Sequence, residues 1–409
     1  MLPVEKLPPG AAGDPLDLLG NIRILDLTTS IAGPYATLLL ADLGASVVKI
    51  EQPGRGDDAR AWGPPFLGGE SLWFISVNRN KQSLTLDYAK PEGLEVLKRL
   101  VRQADVVVVN KTLAVQRKLG IDDAALRQLN PGLIHVSLTG FGLEGARSNL
   151  PCYDLIAEGY SGVMDLTGEL SQGPQKVGTP AADLLAGADA ALAVLAALLD
   201  RARTGRGHSI DVSLVESMTR FMAPRIVPYL GSGELPRRSG GRDSVIAIYQ
   251  VFEAADGPLT IGLGNDAIWK RFWEALGQPE VGRDPRYASN SLRRAARAEI
   301  VARIQAIIAG QPRSHWLQLF EQARIPAGPI NRVDEVAEDP ELVRRGLFYS
   351  VMQDDTRVPQ VGLGIRVDGN ARTFRTPPPR LGQDSAAVLR EWLSLDEAEI
   401  ARLKQSDTI

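Results

Sequence analysis

Histidine and cysteine are almost missing from this chain, which has three histidines and one cysteine in 409 residues. The lone thiol, Cys152, excludes an intrachain disulfide and any cysteine-built metal cluster. His135, His208 and His315 lie far apart in sequence, so no metal-ligand spacing runs through them. Neither sign of charge is in excess, with 46 basic against 49 acidic side chains and a net charge of −3. That balance gives no electrostatic reason to expect nucleic acid or a membrane as partner. The N-terminus lacks the basic-then-apolar run of a secretory signal. The most apolar run, residues 190–199, is about half of the ~20 residues a membrane span needs, and reads as a buried helix. The expectation is a soluble, cytoplasmic protein.

What is present is a large apolar fraction, 44%, in a chain too long for one ordinary core, so two domains are expected. Over the first 140 residues strand and helix signals alternate. Residues 22–27, 46–50, 83–86, Val106–Val109 and 134–138 read as strands, and 34–43 and 91–103 as helices. The four consecutive valines at 106–109 suit a strand buried on both faces of a parallel sheet. This alternation predicts a doubly wound α/β layer. Ala181–Thr204 reads as a long alanine-rich helix stopped by Gly205. Glycine and proline then crowd residues 224–241, marking a linker or mobile loop. Beyond it, a hairpin over 247–263 and helices near 266–276, 297–309 and 314–323 suggest a smaller α+β unit. Ser385–Leu393 reads as a terminal helix.

Two glycine runs invite a nucleotide reading. Gly140, Gly142 and Gly145 match the dinucleotide pattern and follow a strand, but residues 146–151 end in Leu150-Pro151 and start no helix. Gly262 and Gly264 sit between strand and helix without a following βαβ unit, so a tight turn with Asn265 or Asp266 as helix cap is the simpler reading. In the helix beginning near Tyr153, Asp154, Glu158, Ser161 and Asp165 form a polar stripe opposite Ile156, Tyr160, Val163 and Met164. That stripe is either a solvated face or the setting of a carboxylate kept ionised at a helix N-terminus, and so usable as a nucleophile. Spacing does not choose between them. Cys152 is a further nucleophile candidate with no histidine nearby in sequence to activate it. Residues 78–83, Asn-Arg-Asn-Lys-Gln-Ser, form a polar loop that is either solvated or an anion site.

Taken in order, several segments resemble the family III CoA-transferases, the carnitine- and bile-acid-inducible type that includes formyl-CoA transferase. They are Leu25-Asp26-Leu27 with Ala32-Gly33-Pro34; Leu43-Gly44-Ala45 through Ile50-Glu51; Asn80-Lys81-Gln82-Ser83; Leu138 through Gly142; Tyr153-Asp154 with Ser161-Gly162-Val163-Met164; Thr204 through Gly207; and Pro326 through Asn331. The resemblance spans roughly residues 20–395. It implies an α/β fold with a Rossmann-like large domain and a small α+β domain joined by long linkers, two chains interlocking as a homodimer. Boundaries consistent with it are an N-terminal arm at 1–19, the large domain at 20–220, a linker with a glycine loop at 221–245, the small domain at 246–330, a return linker at 331–380, and a C-terminal helix at 381–409 that completes the large domain.

The resemblance also implies a reaction. Asp154 matches the family's catalytic aspartate, which passes CoA from an acyl-CoA donor to a small carboxylic acid through mixed anhydrides and an aspartyl-CoA thioester. Gly240 and Gly241 are the candidates for the glycine loop that stabilises the oxyanions, and Glu158 stands where a glutamine is common. For CoA, Ser30, Ile31 and Ala32 match the loop at the pantetheine end, Lys81 the phosphate-binding lysine, Asn110 a kept asparagine, and Lys118 an expected basic contact. Gln52 departs from the arginine of formyl-CoA transferase. CoA thioester is a substrate, and no tightly bound cofactor or metal is expected. Arg79, Arg220 and Arg225 are candidates to pair a distal carboxylate, with succinyl-CoA as a possible donor. Two alternatives stand beside this reading. The α-methylacyl-CoA racemases share the fold and use a histidine that this chain lacks between His135 and His208. A non-catalytic CoA-binding protein is the other.

Overall fold

The structure is a computed structural model that describes residues 2–10 and 14–409. Its main feature is a six-stranded parallel sheet made of β1 (Arg23–Asp26), β2 (Ser46–Glu51), β3 (Lys81–Thr85), β4 (Val106–Val109), β5 (Ile134–Thr139) and β6 (Ser209–Ser213). The strands lie in the order β3-β2-β1-β4-β5-β6. Every residue of β4 is buried, as four valines flanked on both faces by helices require. The order reverses between β1 and β4, and the crevice beyond their C-terminal ends is where open α/β sheets take ligands.

Five helices position the site. They are α1 (Ala32–Asp42), α2 (Asp154–Ser161), α3 (Ala181–Thr204), α4 (Leu214–Phe221) and α5 (Ala223–Ser232). The Cβ that Gly187 lacks would lie 2.6 Å from Ala32 O, so α3 approaches α1 at backbone distance only because of that glycine. Ala182, Ala186, Ala190 and Val194 bury the inner line of α3, whereas Leu192 and Leu199 are exposed. The run at 190–199 is thus buried on one face only, within a helix that by length and apolarity alone could cross a membrane.

Two compact units are seen. The larger comprises Met1–Val163, Lys176–Gly231 and Asp339–Ile409, and the smaller Met164–Gln175 and Ser232–Glu338. In the larger, Ser385–Leu393 packs Val388, Leu389 and Trp392 into the core formed by Leu25, Val48, Leu97 and Val107. The smaller has a three-stranded antiparallel sheet, Tyr249–Ala254 and Gly257–Gly262 with Ala327–Pro329, over a core of Trp269, Phe272, Trp273, Trp316 and Phe320. Asn265 caps the helix Asp266–Ala275 by accepting Ile268 N–H, as the turn reading predicts.

Three stretches are more ordered than expected. The glycine- and proline-rich residues 223–232 form α5 in spite of Pro228. Residues 348–361 form a hairpin of Phe348–Gln353 and Thr356–Val361. The N-terminal arm packs on that hairpin, with Pro9 bridging Ser350. Glycine and proline content marks where turns are allowed, and packing decides which are used.

Candidate active site

A buried ionic chain underlies the loop after β1. Asp26 Oδ1 accepts Thr28 N–H, and Asp26 Oδ2 accepts Thr37 Oγ1 and Lys81 Nζ. Lys49 Nζ donates to Thr28 O and pairs with Asp57 Oδ2 at 2.7 Å. Asp57 Oδ1 then accepts Ser30 N–H at 2.9 Å, holding Ser30 at φ +73°. Asn110 braces the same loop from β4's end: its Nδ2 donates to Thr29 O and its Oδ1 accepts Thr29 N–H. Burial works against ionisation of Asp26, but Lys49 and Lys81 beside it hold its carboxyl well below the usual carboxylate range. These charges are tied to one another, and their product is a rigid Thr28–Ser30 backbone.

This network corrects the role expected for Lys81. Its ammonium is fully enclosed and spent on Asp26, Pro34 O and Asn78 Oδ1, so it has no donor free for a phosphate. Burial, against the pull of Asp26, brings it down to about 8. Arg79 is corrected likewise: it is buried and paired with Asp42, which leaves no guanidinium for a substrate carboxylate. The polar loop at 78–83 is neither solvated nor an anion site, because its side chains point into the fold.

Asp154 is placed by two helix starts. It is the first residue of α2, after Tyr153 in extended backbone. Its Oδ1 accepts Ala182 N–H at 2.8 Å and Asp183 N–H at 3.2 Å, both in the first turn of α3. Free N–H groups and the helix dipole favour an anion at each position. The chain reaches this point because Gly140 lets residue 152 pass: a Cβ on Gly140 would lie 2.1 Å from Cys152 Cβ.

The stripe on α2 is inverted from its expected orientation. Glu158 and Ser161 are buried, whereas Leu155, Ile156 and Tyr160 are exposed. Glu158 Oε2 accepts Val177 N–H at 2.9 Å, and its Oε1 is buried without a partner. Burial pushes the Glu158 carboxyl up, and the charge of Asp154 adds to that. Of the expected apolar side, only Val163, beyond the end of α2, is buried.

A cleft of about 260 Å³ opens at the sheet's switch point; Asp154 does not line it, but its neighbour Tyr153 and its hydrogen-bond partner Asp183 do. It brings together Ser30, Ala32 and Asn110 with Cys152, Tyr153 and Asp183. Ile31 is turned away, packed with Leu38 and Val77. Lys118 is exposed near the end of the helix Leu113–Leu119 and does not line the cleft. Lys111 is the nearer cation; it lines a smaller cleft with Thr29, Gln52 and Asp57. Its adjacency to Asn110 was the available signal. Asp183 was missed because a first-turn aspartate on a long helix carries no mark of function in sequence. Burial first, then Asp183, pushes the Cys152 thiol up to about 11, so it is a poor nucleophile. His135 is buried, its Nε2 against Ile121 O, and no histidine lines the cleft among the described residues.

In the smaller unit, Gly240 has φ +60°, and its N–H donates to Gly168 O at 3.0 Å. Gly241 N–H reaches Glu169 Oε1 at 3.4 Å. Both glycines line a cavity of about 530 Å³ with Arg242, Tyr249 and Gly262. In the larger unit, Arg220 pairs with Asp189 on the surface.

A half-buried carboxylate on two helix starts, beside a switch-point cleft free of histidine, suits nucleophilic acyl chemistry better than hydride or α-proton transfer. The comparisons agree in class. The model of CoA-transferase family III matches residues 19–385, and the chain belongs to that family and is a CoA-transferase. It is 38% identical over 385 residues to a succinate–glutarate CoA-transferase of Agrobacterium fabrum, covering 92% of this chain and 96% of that one. It is 37% identical to succinyl-CoA:glutarate CoA-transferase of Mus musculus, covering 97% and 91%. A crystal structure of a CaiB/BaiF family protein from Brucella suis superposes with a TM-score of 0.81 at 37% identity, covering 93% of this chain and all of that one.

Proposed function

We propose that this enzyme moves CoA between succinyl-CoA and a dicarboxylic acid of glutarate's class, with Asp154 as the nucleophile. The observation that carries the reading is the Asp154 carboxylate, held through Oδ1 by Ala182 and Asp183 N–H at the cleft's edge. With Oδ1 fixed, Oδ2 is the oxygen left to attack the thioester carbon, with the raised carboxyl of Glu158 against Asp154. The C–S bond breaks, and an anhydride joins Asp154 to the donor acyl group. The CoA thiolate then attacks the aspartyl carbonyl, frees the donor acid and leaves an aspartyl-CoA thioester, which the acceptor acid reverses. The two similar CoA-transferases named for glutarate support that acid class.

Ser30, Ala32 and Asn110 frame the pantetheine end, with Lys111 in place of Lys81 as the cation toward the nucleotide end. In this reading Gly240, whose one N–H is taken by Gly168 O, only turns the loop at φ +60°, and Gly241 is the oxyanion donor. It is supported by the Glu169 carboxylate, which already rests on the Gly241 amide as an oxyanion would. Glu158, one turn from Asp154, fixes the strand of chain at Val177 and bears on acceptor choice. A homodimer is also proposed: Val227 and Leu230 of α5 are 64% and 74% exposed, and no residue of that helix is buried.

The test is to incubate the enzyme with succinyl-CoA and glutarate, read glutaryl-CoA by mass, and trap the intermediate. A CoA adduct on the Asp154 peptide is expected. An adduct on any other residue, or transfer at the wild-type rate by Asp154→Asn, would sink the assignment.

A further inference from the structure

We propose that Asp183 is the acid–base partner of Asp154, donating its proton to the departing CoA sulfur and taking it back when that sulfur returns. The proposal rests on Asp154 as the nucleophile and adds a second carboxyl with a separate task.

The geometry is specific. Asp183 is the third residue of α3, and its own N–H is one of the two that hold Asp154. The residue is 8% exposed, and it lines the cleft with Cys152 and Tyr153. Its carboxyl makes no hydrogen bond and no ion pair among the described residues. A carboxylate so placed would be an uncompensated buried charge, whereas a carboxylic acid is tolerated and offers one O–H.

The charges around it point the same way. Asp154 is the group that bears on it directly, and no lysine or arginine contributes. On the neighbouring elements, Cys152 is a neutral thiol, and Glu158 lies one turn along α2 with its own carboxyl pushed up. Asp58 borders the cleft. Tyr35 of α1 meets α3 at Gly187, and Arg220 of α4 is engaged by Asp189. His135 of β5 faces Ile121 O, and Asp211 of β6 accepts Leu143 N–H. Burial, with the charge of Asp154, pushes the Asp183 carboxyl up to about 7.

That value depends on the nucleophile's charge, which gives the step its timing. Before attack, burial first and then the charge of Asp154 favour the protonated form of Asp183. Attack turns Asp154 into a neutral anhydride, and the electron pair of the broken C–S bond goes to sulfur. The negative charge beside Asp183 thereby passes from a weakly basic carboxylate to a more basic thiolate. A thiol ordinarily holds its proton to about pH 8.5, so transfer from the carboxyl to sulfur runs downhill. When the thiol attacks the aspartyl carbonyl, Asp183, now a carboxylate, takes the proton back. No proton is gained or lost over the cycle.

The experiment measures kcat from pH 5.5 to 9 with succinyl-CoA and glutarate for the full-length wild type, Asp183→Asn and Asp183→Ala, with trapping at Asp154 and thermal melts alongside. The wild type should lose activity along a one-proton limb above about pH 7, since the acid form is the competent one. Both variants should lose that limb and run about 10²-fold slower, while still giving the Asp154 adduct on long incubation. A purely structural role would lower the melting temperature and leave the limb in place. A limb that persists in Asp183→Asn, or a kcat within threefold of wild type, overturns the role of Asp183 alone. An untrappable Asp154 in the wild type overturns the nucleophile assignment instead.

Discussion

Replacing Lys81 by methionine separates two physical accounts of that residue. Methionine keeps most of the apolar stem, so packing changes little and the loss is electrostatic. Asp26 is fully buried and has two lysines against it, at Lys81 Nζ by an ion pair of 3.1 Å and at Lys49 through its charge. Removing one partner of a buried pair typically costs about 3–5 kcal/mol. Pro34 O and Asn78 Oδ1 also lose a donor, and each adds about 1 kcal/mol. Lys49 and the hydroxyl of Thr37 remain on Asp26 and offset part of this, so about 4 kcal/mol is expected. At about 2.1 cal/mol/K per residue over 409 residues, that lowers the melting midpoint by about 5 °C. The assay is a thermal melt of Lys81→Met paired with KM for succinyl-CoA. A lysine that grips a CoA phosphate would give the opposite pattern, a KM raised tenfold with the midpoint unmoved. That result would refute the reasoning.

Gly140→Ala should reduce kcat by about 10²-fold, because the new methyl group collides with Cys152 and displaces the start of α2 by a fraction of an ångström to an ångström. Adding Cys152→Gly to it should restore most of the activity, and no restoration would show that the collision is not the cause. Cys152→Ala should keep kcat within about twofold, and iodoacetamide should label Cys152 slowly at pH 7.5, where a thiol pushed up to about 11 is almost wholly protonated; rapid labelling with loss of activity would return it to the list of nucleophiles. Leu230→Asp on α5 should shift the chain toward monomer in light scattering, and an unaltered dimer mass would show that α5 is not at the interface.

The parallel sheet and the terminal helix Ser385–Leu393 were legible because their residues obey one rule at a time. Val106–Val109 has nowhere to go but a two-faced core, and Asn265 can do little but cap. The hairpin at 348–361 was not legible, since its turn, Asp354-Asp355, holds no glycine to mark it. Lys81 and Arg79 were misread for a different reason. A polar loop has the same composition whether water or a buried carboxylate satisfies it, and only the tertiary partners Asp26 and Asp42 decide.

The helix carrying Asp154 is where pattern and structure disagree outright, and the disagreement is informative. In an ordinary amphipathic helix Ile156 and Tyr160 would face the core and Glu158 would face water. Here Glu158 is buried and Tyr153, Leu155 and Ile156 are exposed in a single chain. Burying a carboxyl with one orphaned oxygen costs free energy, and leaving three large apolar side chains in water gains none. Sequences break local rules in this way at functional sites. The chemistry supplies a reason. In the proposed reaction an aspartyl anhydride forms, which water hydrolyses, so its surroundings would have to become dry. In that reaction the apolar face beside Asp154 is the surface that would meet the need once covered. A helix patterned for its own core would have no such face left to offer.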